Sequence, residues 1–293
     1  DIEEWNRNKL TLLNDMLRYN EASNSLTEYL KCFDLPLAFM QTPNSIRYTC
    51  MKLGDDLIAD GIVYAEIRFA PGLHTKKGYT QEQILLACIE ARDYLSLLGV
   101  EVDFILCALR GAESKVNEET LLLCEKYLGR GVVGFDLAGD ESGYNNELYK
   151  DLFDYAVKKN IPFTIHAGEA AGPESVWSAI ELGALRIGHG LAAVKDKELM
   201  KYLAAHKIPL EMCPVSNLQT GACICIEEYP LMTFLENGVI CTINTDNRVV
   251  SNTSLKKEFK LITGIPVYTD EILDKLKHYN RASSFMELMK NRI

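Results

Sequence analysis

Seven short apolar runs, each separated from the next by a helix-like pattern, set the limits on what this chain can fold into. They are IVYAEIRFA (62–70), VEVDFILCAL (100–109), VVGFDLAG (132–139), FTIHAG (163–168), LRIGHG (185–190), IPLEMCP (208–214) and GVICTINTD (238–246). The runs are rich in β-branched residues, and most lack polar–apolar alternation, as expected of strands covered on both faces. Between them, TQEQILLACIEARDYLSLLG (80–99) repeats apolar residues at helical spacing, with Thr80 as N-cap and Gly99 as C-cap. NEETLLLCEKYLGRG, ELYKDLFDYAVKKN, ESVWSAIELG, DKELMKYLAAHK and YPLMTFLENG follow the same plan. No linker or low-complexity segment interrupts the series, so one parallel α/β domain over residues 1–293 is expected.

An open doubly wound sheet and a closed (β/α)₈ barrel both satisfy this alternation. An open sheet gathers its site at one switch point, whereas a barrel gathers residues from many strand ends onto one face. Polar residues stand near the C-terminal ends of nearly every run: Glu66 and Arg68; Asp136, Gly139 and Asp140; His166 and Glu169; His189; Ser216 and Asn217; Asp246 and Asn247. That spread selects a TIM-type barrel. Such a barrel needs eight strands, and residues 1–61 read as helices, so the first strand is expected to precede Asp1.

The formal net charge of −10, with no basic patch interleaved with aromatics, argues against a nucleic-acid partner and for a small, neutral or weakly charged ligand. No apolar run approaches the ~18 residues of a membrane span, and DIEEWNRNKL lacks the pattern of a signal peptide. Nine cysteines, an odd number without metal-finger spacing, suggest reduced thiols in a cytoplasm. Cys223 and Cys225 read as ordinary thiols.

Histidines at strand ends can be hydrogen-bonded core groups or metal ligands. A hydrolytic metal site needs three or more N/O donors and an open position for water. His166, His189 and Asp246 all fall on one face of the expected barrel. Glu169, three residues beyond His166, follows a glycine turn that can aim its carboxylate back over the pocket, where it could shuttle protons.

The segments GFDLAGDE (134–141), HAGE (166–169), RIGHG (186–190), EMCPVSNLQTGA (211–222) and NTDN (244–247) resemble, in order and spacing, those of the adenosine deaminases. EIRFAP (66–71) and LTEYLKCFD (26–34) extend the likeness, which covers essentially the whole chain. The resemblance implies a zinc-dependent barrel that hydrolyses adenosine to inosine and ammonia. It makes His166 and Asp246 metal ligands, Glu169 the proton donor to purine N1, and His189 the group that orients or deprotonates the attacking water. Gly139 would offer its N–H to purine N3, and Asn247 would contact N7 through its N–H₂ group. Leu26, Tyr29, Leu30 and Phe33 fall where the family has an apolar lid helix.

Two departures stand out. Many family members carry Asp where this chain has Asn247. The family's first strand carries a His-x-His pair of zinc ligands, and none occurs here. His74 is the one conceivable stand-in, while His206 and His278 look structural or exposed. The absent pair and the absent strand coincide, so the 293-residue chain is expected to bind Zn²⁺ poorly. Adenine deaminase, a deaminase of N6-substituted adenine nucleotides and a non-catalytic purine-binding barrel remain alternatives. The oligomeric state is left open.

Overall fold

The computed structural model of the chain describes residues 16–19, 26–265 and 267–290. Of residues 1–61, read above as helices, those before Leu26 lie almost entirely outside them. Three helices lead in: α1 (Leu26–Lys31), α2 (Asp34–Phe39) and α3 (Pro43–Asp60). The ends of α3 are written locally. Thr42 caps its first turn in a reciprocal box with Ser45, Pro43 takes a position that needs no N–H donor, and Gly61 leaves the helix at φ +76°.

Each run read as a strand is one: β1 (Tyr64–Phe69), β2 (Glu101–Leu109), β3 (Val132–Ala138), β4 (Thr164–Ala167), β5 (Arg186–His189), β6 (Leu210–Met212) and β7 (Cys241–Ile243). Neighbours pair in parallel and in chain order, β1-β2-β3 and β4-β5-β6-β7. An isolated bridge between Phe135 and Phe163 joins the two ladders. Helices α4 (Gln81–Leu97), α5 (Ser114–Tyr127), α6 (Lys150–Lys158), α7 (Pro173–Glu181), α8 (Lys197–His206), α9 (Pro214–Gln219) and α10 (Leu231–Glu236) alternate with the strands. Three more, α11 (Leu255–Thr263), α12 (Asp270–Ala282) and α13 (Phe285–Lys290), close the described chain. Thr80 caps α4 as expected, and Gly99 turns at φ +84° just past its end. This is the wall of a TIM-type barrel. Among the described residues it has seven strands, and β1 does not pair with β7.

The main core joins the strands to the inner faces of the helices, with Phe104, Phe135, Phe153, Phe163 and Phe234 fully buried. The inside of the barrel is different, because it carries charge. Glu66 and Arg68 are two apart on β1 and so share a face. Arg186 on β5 donates to Glu66 at 2.6 Å and to Glu211 on β6 at 2.7 Å. Arg68 donates to the same Glu211 and to Asp136 on β3. Because β1 does not neighbour β5 or β6, these contacts cross the interior. Glu66 and Arg68 therefore belong to an ionic layer rather than to the strand-end face expected from sequence. Burial pushes the Glu211 carboxyl up, but the two arginines outweigh it and hold it at about 2. Such a layer adds little net stability as built, yet stripping one partner from it is costly.

Candidate active site

The chemistry-bearing side chains come from the ends of β4, β5 and β6 and from the turn after β7. His166 sits on β4 opposite Gly188 of β5. A β-carbon at 188 would lie 3.0 Å from the His166 Cα and 3.2 Å from its ring, so the glycine before His189 makes room for the imidazole. The Asp136 carboxylate lies 3.1 Å from His166 Nδ1. That contact places the ring proton on Nδ1 and leaves Nε2 as the free lone pair. A carboxylate behind a histidine is the usual support of a metal-binding imidazole. Burial disfavours the charged ring, but Asp136 more than offsets it, and the His166 pKa is raised.

His189 ends β5 with φ +60°, a conformation that costs a side-chain-bearing residue energy and recurs at functional sites. Its ring meets that of His166 edge-on, with centroids 5.1 Å apart. Asn217, in α9, fixes its tautomer. Asn217 Oδ1 accepts from the Cys213 N–H at 3.2 Å and from the Tyr229 hydroxyl at 2.9 Å, so the amide orientation is unambiguous. Its Nδ2 then donates to His189 Nδ1 at 2.9 Å. The His189 proton is left on Nε2, 3.4 Å from Glu169 Oε2.

Glu169 is gripped from the same side. Thr220 Oγ1 donates to its Oε1 at 2.9 Å, and Asn217 Nδ2 approaches that oxygen at 3.3 Å. Gly168, at φ +73°, supplies the turn that aims the chain there. Glu169 lines a cavity of about 310 Å³ with Leu26, Ser142, Ala170, Thr220, Gly221 and Ala222. Among the described residues no lysine or arginine lines that cavity.

Beyond β7, Asp246 takes φ +50°. Its Oδ2 accepts from Ser216 Oγ at 2.7 Å and its Oδ1 from Asn247 Nδ2 at 2.8 Å. Asp246 lies close enough for its charge to favour the protonated His166 ring. Asn247 Nδ2 also approaches the Tyr29 hydroxyl at 3.2 Å. Both N–H bonds of this amide are thus engaged, where the sequence reading expected one to be free for a ligand. Tyr29 is buried against Tyr19 and Val250, with Leu26 and Phe33 alongside, so the apolar helix α1 packs over the Asp246 turn. Gly139, just past β3, takes φ +103°.

His74 is not a stand-in ligand. It is buried in the turn after β1, with Nδ1 2.6 Å from the Met40 carbonyl and its ring beside Phe69. His206 and His278 are exposed, and the former stacks on Tyr202. Among the described residues no group of three His, Cys, Asp or Glu side chains is placed to hold a metal. His166 and Asp246 have the right donor chemistry but make two of the three protein ligands a catalytic zinc usually holds. The sequence reading assigned no role to Asp136, Asn217 or Thr220. All three lie inside the quoted family segments, but their partners are distant in sequence.

The family model described as adenosine deaminase matches residues 7–293. An adenosine deaminase of Haemophilus ducreyi is 45% identical over 245 residues, which cover 82% of this chain and 71% of that protein. Among solved structures, the adenine deaminase from Arthrobacter aurescens superposes with a TM-score of 0.84 at 22% identity, covering 93% of this chain and 83% of that one. An arabidopsis N6-mAMP deaminase gives 0.83 at 23% identity, with coverage of 92% and 82%. An amidohydrolase from Burkhoderia ambifaria with bound Zn gives 0.76 at 18% identity, with coverage of 84% and 69%.

Proposed function

The chain belongs to the adenosine deaminase family, and from that premise we propose that it hydrolyses the 6-amino group of adenosine to give inosine and ammonia. The observation that carries this reading is Glu169, a carboxyl fixed by Thr220, Asn217 and His189 on the wall of a cavity. Attack of water at C6 moves negative charge onto ring N1. A proton delivered from Glu169 to N1 stabilises that charge as it develops, which favours the transition state over bound substrate.

His189 holds its proton on Nε2, so it serves to orient the attacking water through an N–H rather than to strip it. Gly139, without a side chain, can bring its backbone N–H to purine N3. Asn247 can reach N7 as a donor once one of its N–H bonds leaves Tyr29 or Asp246. His166 through Nε2 and Asp246 would hold Zn²⁺. Zinc, when bound, supplies hydroxide near neutral pH. Among the described residues no lysine or arginine lines the cavity, which favours an uncharged nucleoside over a nucleotide. Among the described residues no helix is long and apolar enough to cross a membrane. The free thiols suit a cytoplasmic site of action.

Ammonia release from adenosine, adenine, AMP and N6-methyl-AMP, with zinc supplied, tests the reading. Adenosine should be preferred over AMP in kcat/KM, and Glu169→Gln should lower kcat by about 10²–10⁴-fold while leaving inosine binding nearly intact. Preference for a nucleotide replaces the substrate. No ammonia from any of the four by folded protein shown to carry one zinc per chain overturns the deaminase reading.

A further inference from the structure

The side chain of Glu169 is held by its neighbours across the cavity, but its backbone is held by something else. Glu141 follows β3 and is only 5% exposed. Its Oε1 accepts from the Gly168 N–H at 2.5 Å and from Ser175 Oγ at 2.6 Å. Its Oε2 accepts from the N–H groups of Glu169 at 3.0 Å, Ala170 at 2.7 Å and Ala171 at 3.2 Å. Four successive backbone donors therefore converge on one carboxylate. Arg110, just past β2 and also buried, takes the other side of the turn. Its Nη2 donates to the His166 carbonyl at 2.6 Å and to Asn146 Oδ1 at 2.7 Å, and its Nη1 to the Tyr144 carbonyl at 2.6 Å. Asn146 in turn donates to the Ser175 carbonyl at 2.8 Å.

We infer that Glu141 is a positioning residue for Glu169, acting through the 168–171 turn, with Arg110 bracing that turn at residue 166. The inference rests on the deaminase reading and extends it to the residue that sets where the acid stands. The turn has few other ways to satisfy its N–H groups, because Gly168 is left-handed and Pro173 has already begun α7. A buried, unpaired N–H is expensive, so the turn keeps the shape that the carboxylate imposes. A glutamine at 141 would keep the volume but present an N–H₂ group to several of these donors. The turn would have to move. A displacement of about 1 Å at a reacting group costs on the order of 10²-fold in rate.

The test is a double-mutant cycle on adenosine deamination, joined to amide exchange of the 168–171 segment. Glu141→Gln should lower kcat by about 10²-fold with KM changed less than about threefold. In a Glu169→Gln background the same substitution should cost less than about threefold, because the acid it positions is already gone. Amide exchange at 168–171 should quicken at least about tenfold, and Glu141→Asp, which keeps the carboxylate, should recover most of the rate. If Glu141→Gln does not fold, Glu141→Asp takes its place in the cycle, with a smaller loss that again vanishes in the Glu169→Gln background. Equal losses in both backgrounds, or unchanged kcat and exchange, overturn the inference. An unmodified protein that turns over no adenosine sinks the activity reading instead, and slow exchange at 168–171 that quickens in Glu141→Gln tells that failure apart.

Discussion

The two ladders of the barrel wall are built differently. The strands β1, β2 and β3 run 6, 9 and 7 residues, whereas β4, β5, β6 and β7 run 4, 4, 3 and 3. The first ladder keeps its backbone pairing up to the site and contributes groups that support others: Asp136, Arg110 and Glu141. The second stops pairing early and contributes His166, Glu169, His189 and Asp246. Short strands free the chain for left-handed residues at the reacting groups, but they give up the ladder bonds that would hold them. Buried carboxylates take over that task. Glu141 holds the turn after β4. Glu258, on α11, accepts from the Val215 N–H at 3.0 Å and from Thr253 Oγ1 at 2.5 Å, tying the turn after β6 to the one after β7.

This contrast can be broken most severely at Arg186, which belongs to the second ladder but pairs with Glu66 of the first. Arg186→Met leaves Glu66 and Glu211 facing each other without their shared cation. Urea unfolding should show a loss of roughly 3–5 kcal/mol, and a loss below about 1 kcal/mol would mean that the ladders do not depend on the ionic layer.

Glu258 sharpens the contrast through pH. Burial pushes its carboxyl up to about 7 from an ordinary 4.5, against the pull of its two hydrogen bonds. The folded protein therefore binds a proton that the unfolded chain has released, and stability falls as pH rises from about 4.5 to about 7. Each tenfold difference in proton affinity between the folded and unfolded chain is worth about 1.4 kcal/mol. Wild type should therefore lose roughly 3 kcal/mol more than Glu258→Gln between pH 4 and pH 8. Parallel pH–stability curves for the two proteins would remove Glu258 from the anchoring scheme. Glutamine suits the site, since its oxygen can accept from Val215 and its amide can donate to Thr253.

The smallest effect is expected at Asn247, whose amide is already engaged by Tyr29 and Asp246. Asn247→Ala should raise KM for adenosine by about 2–12-fold, the worth of one net hydrogen bond of roughly 0.5–1.5 kcal/mol. Adenosine and 7-deazaadenosine losing equally on that substitution would show that the amide serves Tyr29 and Asp246 rather than N7.

The wall of the barrel was legible because β-branched runs and capped helices are local signals. Thr80 and Gly99 could be placed from neighbouring residues alone. The reacting groups were legible through short segments such as HAGE and RIGHG. What escaped was whatever depends on partners far away in the chain. Asp136 lies 30 residues before the histidine it supports, and Glu141 lies 27 before the first amide it holds. Glu66 and Arg68 were read as strand-end polar groups because a strand pattern gives the facing of a side chain but not its depth. His74 looked available because sequence does not show that its buried ring packs beside Phe69, with no group of three possible metal ligands formed around it among the described residues.

The charged interior gives the molecule a thermal character that an oily one would lack. Hydration of ions carries a strongly negative entropy, so the penalty for keeping Glu66, Arg68, Asp136, Arg186 and Glu211 out of water shrinks on warming. Apolar burial gains nothing comparable at the same temperatures. The cross-interior contacts between the two ladders therefore strengthen, relative to the rest of the core, as the protein is heated. On cooling, that relative advantage of the ionic contacts shrinks again.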